Sequence, residues 1–140
     1  MKLSADCIRD VMLEIEKSWS LSLCEGGGIH MGTVGIDDLC LALPEHSKED
    51  IFYSLYNLDQ AGFINISVLW ASGRVAVECA VNYMTYSGHE FLNGIRDQRR
   101  WSLIKSGLKA VRSYSLDVVA AISKGISNAA IDKFVNGIEL

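Results

Sequence analysis

The amino-acid sequence predicts a mainly helical α+β protein with one small β hairpin. Three observations favour this class: apolar residues at helical spacing near both ends, two short amphipathic segments joined by a turn, and apolar alternation on both sides of "ASGR". In this order they indicate a winged helix-turn-helix core followed by C-terminal helices. The 140 residues, 49% of them hydrophobic, suffice for one core. We expect a winged-helix-like domain over residues 1–97 and a helical extension over residues 98–140, packed on that domain or at a dimer interface.

The first helix is predicted over residues 4–18, because apolar residues recur every three or four positions and Ser4 can cap the free amides. The glycine-rich "CEGGGIHMGTVG" then ends the helix, and we expect a loop with one short strand near residues 30–34. This loop lacks the G-x-x-x-x-G-K-[ST] pattern of a phosphate loop. Nucleotide binding is therefore not predicted.

Two short helices and a hairpin follow. Pro44 ends the first helix, Ser47 caps the second, and Gly62 closes the second as a left-handed C-terminal residue. Alternating apolar residues over 64–70 and 75–83 then predict the hairpin, and from Ser87 onward the pattern is helical again.

The stretch "TYSGHEFLNGIRD" places a glycine, a histidine and a glutamate together, as a small catalytic or metal site does. We interpret it as scaffold, with Ser87 as N-cap and Glu90 completing a capping box. A metalloprotease helix needs a second histidine where Asn93 stands. We therefore expect His89 to be a packed or hydrogen-bonded helix residue, and we assign no catalytic residue.

The cysteines and histidines show no local ligand pair. Cys7, Cys24, Cys40 and Cys79 are widely spaced without a Cys-x-x-Cys motif. We expect free thiols, with Cys7 and Cys79 buried on apolar faces. The sequence thus predicts no metal, no cofactor and no enzymatic activity.

Three segments, "CIRDVMLEIEKS", "LYNLDQAGFI" and "TYSGHEFLNGIRDQRRWSLIK", resemble a domain-of-unknown-function family of small bacterial and prophage proteins. The third is the most specific: it follows L-T-x-x-G-H-E-F-L-D-x-I-R-x-x-x-x-W-x-x-x-K, with Met84 replacing the first leucine and Asn93 the aspartate. The resemblance implies a winged-helix-like fold and a phage or prophage origin. It implies no activity, so no catalytic residue is carried over.

The charge distribution bears on the partner. Residues 1–83 hold five basic and twelve acidic residues, and residues 36–64 hold six acids with Lys48 as the only base. A recognition helix that faces phosphates should not be acidic. Tyrosines among acids suit a basic protein partner, and the expected contacts are Tyr53, Tyr56, Asn57 and Gln60.

A basic cluster follows the signature, and it is the possible nucleic-acid surface: Arg96, Arg99, Arg100, Lys105 and Lys109. Its alternative is a solvated face that forms salt bridges with the acidic half. Our leading hypothesis is a non-enzymatic protein that contacts a host or phage factor, and the alternative is a DNA-binding transcriptional regulator.

The C-terminal apolar stripe, residues 116–138, predicts a homodimer, with contacts at Val119, Ile122, Ile126 and Phe134. The charged N-terminus differs from a signal peptide, and the longest apolar run, "VVAAI", is too short to span a membrane. We expect no membrane partner and a location in the cytoplasm of the bacterial host cell.

Overall fold

The computed structural model describes residues 1–112 and 114–125, which form six helices and two small antiparallel sheets. The mainly helical α+β class and the hairpin are confirmed. The helices are α1 (Ala5–Ser18), α2 (Ile36–Ala42), α3 (Lys48–Gln60), α4 (Tyr86–Ile95), α5 (Gln98–Val111) and α6 (Leu116–Gly125). The strands are β1 (Leu21–Leu23), β2 (Ile29–Met31), β3 (Val34–Gly35), β4 (Ile64–Ala71) and β5 (Val75–Met84).

Side-chain caps fix the starts of α1 and α3 as the sequence predicts. Ser4 accepts a hydrogen bond from the Cys7 amide at 3.2 Å, and Ser47 accepts one from the Asp50 amide at 3.1 Å. At the end of α3, Gly62 has φ +80°. The Phe63 and Gly62 amides there donate to carbonyls of the last turn, which is a Schellman arrangement.

The sheets differ from the prediction of one short strand near residues 30–34. That region forms two strands: β2 pairs with β1, and β3 pairs with β5. The larger sheet has the order β3-β5-β4, with Val81 of β5 opposite Val34 on one side and Ile66 on the other. The glycine-rich segment therefore contributes an edge strand to the sheet that carries the hairpin.

One hydrophobic core includes residues from α1 through α6. Helix α1 lies centrally and contacts α2, α3 and α4, whereas α5 packs on α4 and α6. Trp101 of α5 is 2% exposed, and its indole nitrogen donates to Asp6 of α1 at 3.0 Å. The described helices beyond residue 97 thus share the core of the preceding segment. Within the described ranges, no helix is long and apolar enough to cross a membrane.

Candidate functional site

A groove of about 1040 Å³ lies between the hairpin and the first turns of α2 and α3. The side of the helices contributes Asp37, Asp38, Lys48, Glu49, Phe52 and Tyr53, and the hairpin contributes both β4 and β5. The groove is open to solvent and runs along the sheet. An open cleft of this kind differs from the enclosed pockets that bury most of a small ligand.

Aromatic side chains form the apolar part of the groove. Phe52 of α3 meets Trp70 of β4 edge to face, with ring centroids 6.4 Å apart and planes at 86°. Trp70 is nevertheless 50% exposed, and Val77 across the hairpin is exposed as well. Large half-exposed aromatic side chains in a cleft are typical anchors for a protein partner.

The rim of the groove is acidic. Asp38, Glu49 and Glu78 line it without an ion pair to a lysine or arginine among the described residues. Lys48 binds Asp37 at 3.2 Å, and the other cationic side chain of the rim is Arg74 at the hairpin tip, while Met1 brings the chain's amino terminus to the groove. The groove therefore has a net negative charge and favours a cationic partner.

Part of the edge of β5 is open along this groove. Strand β3 pairs only with Ala80 and Val81, so no strand of the described chain covers the outer edge of Val75–Cys79. A β-bulge leaves Val77 without a β4 partner, since Leu69 pairs with Glu78 and Trp70 with Ala76. Unpaired backbone groups on such an edge can bind another extended segment.

The "TYSGHEF" stretch, in contrast, is a packing junction. The Thr85 amide and hydroxyl donate to the carbonyls of Phe63 and Gly62, and Thr85 caps α4 by accepting from the Gly88 amide at 3.0 Å. A Cβ on Gly88 would lie 1.9 Å from the Phe63 oxygen. Phe91 stacks on Phe63 at 4.5 Å between ring centroids. The two quoted segments "LDQAGFI" and "TYSGHEF" therefore meet in space.

The predicted cap at Ser87 is wrong, because α4 begins at Tyr86 and its N-cap is Thr85. Glu90 is not part of a capping box, because it lies five positions after the N-cap Thr85; interaction with its carboxylate raises the pKa of the Tyr86 phenol. His89 is a helix residue of α4 as expected, but it is exposed, so of the expected packed or hydrogen-bonded states the packed one is wrong. The interpretation of the stretch as scaffold rests on Thr85 and Gly88 instead.

The remainder of the signature ties α4 and α5 to α1. Arg96 forms a two-pronged ion pair with Glu16, and its hydrogen bonds lower the pKa of that carboxyl. Trp101 and Lys105 both donate to Asp6, at 3.0 and 3.1 Å. Partial burial raises the pKa of Asp6, but these hydrogen bonds outweigh it and leave the pKa below its usual value.

Comparison with known proteins identifies the family of the chain. The model of the family described as "Hypothetical protein (DUF2513)" matches residues 2–115. The chain belongs to this family. It is also 27% identical over 127 residues to an uncharacterized protein of Haemophilus influenzae (strain ATCC 51907 / DSM 11121 / KW20 / Rd), covering 90% of this chain and 95% of that protein. No solved structure matches the chain.

In this DUF2513 member, the four residues predicted to bind a partner differ in their positions relative to the groove. Tyr53 lines the groove, and Tyr56 stacks on Phe52 beside it, with centroids 6.2 Å apart. The side-chain amide of Asn57 donates to the Tyr53 carbonyl oxygen at 2.7 Å, so this side chain is hydrogen-bonded within α3. Gln60 is exposed at the far end of α3 and does not line the groove.

The predicted basic cluster is engaged largely with the chain itself. In addition to Arg96 and Lys105, Arg99 lies 3.7 Å from the Asp97 carboxylate. Arg100 donates to the carbonyl oxygens of Gly94 and Ser123. Lys109 lines a separate cleft of about 530 Å³ between α5 and the start of α1. The geometry resembles the salt-bridged alternative more closely than an open cationic surface.

The predicted dimer contacts divide between the core and an undescribed region. Val119 is 1% exposed and belongs to the core of its own chain. Ile122 packs over Gly107 of α5, where an added Cβ would come within 3.2 Å. Ile126 and Phe134 lie outside the described residues. The dimer remains a prediction, which light scattering at micromolar protein concentration tests.

Proposed function

We propose that this protein is a non-enzymatic binding module that acts through contact with another protein, and that the groove beside the hairpin is its contact surface. The observation that carries the proposal is the combination of half-exposed Trp70, an acidic rim and an open strand edge in one cleft. A surface with these properties is suited to a basic, extended polypeptide segment.

The proposal includes a winged-helix arrangement. The order α1, β3, α2, α3, β4, β5 and the sheet order β3-β5-β4 support it, with α2 and α3 as the helix-turn-helix pair. The hairpin of β4 and β5 then serves as the wing. In this arrangement the groove lies between the wing and the second helix of the pair, beside its first turns.

Binding would combine three contributions at different parts of the groove. An apolar side chain of the partner would bury the exposed face of Trp70, and aromatic anchors of this kind carry much of the interface energy. Lysine or arginine side chains would pair with Glu49 and Glu78 at the rim. The partner's backbone would pair with the open edge of β5, which fixes its direction.

The alternative of a DNA-binding regulator has less support. The first turns of α2 and α3 carry Asp37, Asp38, Glu49 and Asp50, which would repel phosphates if α3 entered a groove of DNA. Arg96 and Lys105 would have to give up ion pairs with α1 to contact a phosphate. Because these side chains already form ion pairs within the chain, they would contribute less free energy to DNA binding.

A photo-crosslinking experiment tests the proposal. A photoreactive phenylalanine derivative replaces Tyr53 inside the groove or, as a control, Leu41, which is 82% exposed on α2 and does not line the groove. We expect a discrete protein adduct from position 53 in a host lysate, lost when Glu49→Lys and Glu78→Lys are added. Adducts that are equal at both positions, or adducts unaffected by charge reversal, would contradict it.

Binding to DNA is measured separately with random duplex at low salt. We expect no shift at micromolar protein. A shift that Arg99→Glu with Arg100→Glu abolishes would favour the regulator over the protein-contact proposal.

A further inference from the structure

A second cluster of polar side chains lies away from the groove, where the turn between α2 and α3 meets the middle of α1. His46 Nε2 lies 2.8 Å from Asp10 Oδ2 and 4.0 Å from Glu45 Oε1. The three potential ligand atoms all lie within 4.8 Å of one another. The His46 side chain is 13% exposed, whereas that of Glu45 is 56% exposed. The cluster is thus open to solvent on one side only.

The backbone holds these side chains in place. The His46 amide donates to the Leu43 carbonyl at 3.1 Å, and Pro44 restricts the turn between them. The next residue, Ser47, caps α3. Asp10 stands on α1 beside Val11, which is fully buried. The cluster therefore joins α1 to the turn between α2 and α3, and Glu45 has the most exposed side chain of the three.

The cluster has more negative charge than its cationic neighbours balance. In the described part of the chain, Asp10 and Glu45 lie within 4.0 Å of His46 and form no ion pair with a lysine or arginine. The neighbouring Cys7 thiol responds to this field: burial raises its pKa, and the charges of Asp50, Asp10 and Glu45 raise it further. Two carboxylates beside an imidazole would be stabilised by a bound cation.

We propose that Asp10, Glu45 and His46 bind a divalent metal ion of the zinc class. One imidazole nitrogen and two carboxylate oxygens form an N/O donor set that suits such ions, and a fourth position stays open to water. With metal–ligand distances of about 2.0–2.2 Å, tetrahedral ligand atoms lie roughly 3.4 Å apart. The 2.8 Å distance between His46 Nε2 and Asp10 Oδ2 would increase slightly, and the 4.0 Å distance between His46 Nε2 and Glu45 Oε1 would decrease by a similar amount.

The required movement is small: the exposed Glu45 side chain can close the 4.0 Å separation from His46, and the Asp10 and His46 side chains must move apart from 2.8 Å by a similar amount. Metal would insert between Nε2 of His46 and the two carboxylates and replace the hydrogen bond to Asp10. The amino-acid sequence conceals this set, since Asp10 is 36 positions from His46. The expectation of no metal rested on the absence of a local ligand pair, whereas the fold supplies the third ligand from α1.

Calorimetric titration of Zn²⁺ into the full chain tests the proposal, in a Cys24→Ser background that removes the exposed thiol. We expect one site of micromolar affinity and a metal-dependent rise in the melting temperature. Glu45→Gln should weaken binding about 10-fold or more without changing the metal-free melting temperature, and His46→Asn should abolish binding. His30→Asn is the matched control, because His30 is an exposed histidine on β2 outside the cluster.

Three results would overturn the proposal. The first is the absence of binding at submillimolar Zn²⁺, which would leave His46 and Asp10 as a plain hydrogen-bonded pair. The second is unchanged affinity in Glu45→Gln. The third is equal loss of affinity in His30→Asn, which would place the metal elsewhere. None of these results depends on the partner proposed for the groove.

Discussion

Gly88→Ala should destabilise the protein strongly, although alanine is the better helix former. A methyl group at this position would lie 1.9 Å from the Phe63 oxygen and 2.8 Å from the Phe63 carbonyl carbon and Met84 Cγ. The oxygen cannot rotate away, because it belongs to the backbone and accepts the Thr85 amide at 3.0 Å. The start of α4 must therefore move outward from the end of α3.

The size of the stability loss in Gly88→Ala follows from opposing contributions to the free energy of unfolding. Overpacking costs about 1–3 kcal/mol, and weakening the Thr85 hydrogen bonds to Gly62 and Phe63 adds about 1 kcal/mol. Removing a helical glycine returns about 1 kcal/mol. We expect a net loss of about 2 kcal/mol in the free energy of unfolding. For a chain of this size that lowers the melting temperature by roughly 8 °C.

Urea unfolding followed by circular dichroism measures this loss. Gly125→Ala is the control, because Gly125 is also helical and an added Cβ there meets no atom of the described residues within 4 Å. That variant should be as stable as the wild type or slightly more so. If Gly88→Ala matched Gly125→Ala, α4 would not approach Phe63 closely, and the glycine of the signature would need a functional explanation.

Three further predictions concern single side chains. The folded-state pKa of Asp6 is lowered, so the stability that its ionised carboxylate contributes is complete above the usual pKa of 3.8 and is lost as the pH falls through the folded pKa. Asp6→Asn should therefore lower the free energy of unfolding by up to about 1 kcal/mol at pH 7 and should have no effect in strong acid. Urea unfolding at each pH measures this difference. Exposed Cys24 should react with Ellman's reagent at once, whereas Cys79, whose pKa burial raises to about 11, should react only in denaturant; fast labelling of Cys79 would contradict its burial. His89→Gln should leave partner capture and the melting temperature nearly unchanged because His89 is exposed, and loss of capture alone would make it a contact residue.

Local signals were enough to predict α1 and α3, whose periodicity and serine caps agree with the structure. They failed at α4, where Thr85 and Ser87 are both good caps and Glu90 fits a capping box with Ser87. The choice depends on Thr85 bonding to Gly62 and Phe63, which lie more than twenty positions away. A local sequence pattern cannot predict such a long-range contact.

The candidate site was predictable only in part. Tyrosines among acids indicated Tyr53, but the groove also depends on Trp70, and alternation within β4 does not reveal that Trp70 meets Phe52. The role of Arg96 was equally hidden, because its partner Glu16 lies 80 positions earlier. Charge counts identified the acidic residues 1–83 and the basic cluster that follows them, whereas the fold decides which charges pair and which remain at the rim of the groove.

Hydrogen exchange of the full chain, with and without the partner captured from position 53, tests the central claim most directly. The proposal predicts slower exchange at the amides of Val75–Cys79 and in the first turns of α3, with α5 unchanged. Protection confined to α5, with the groove amides exchanging as fast as in the free protein, would contradict it.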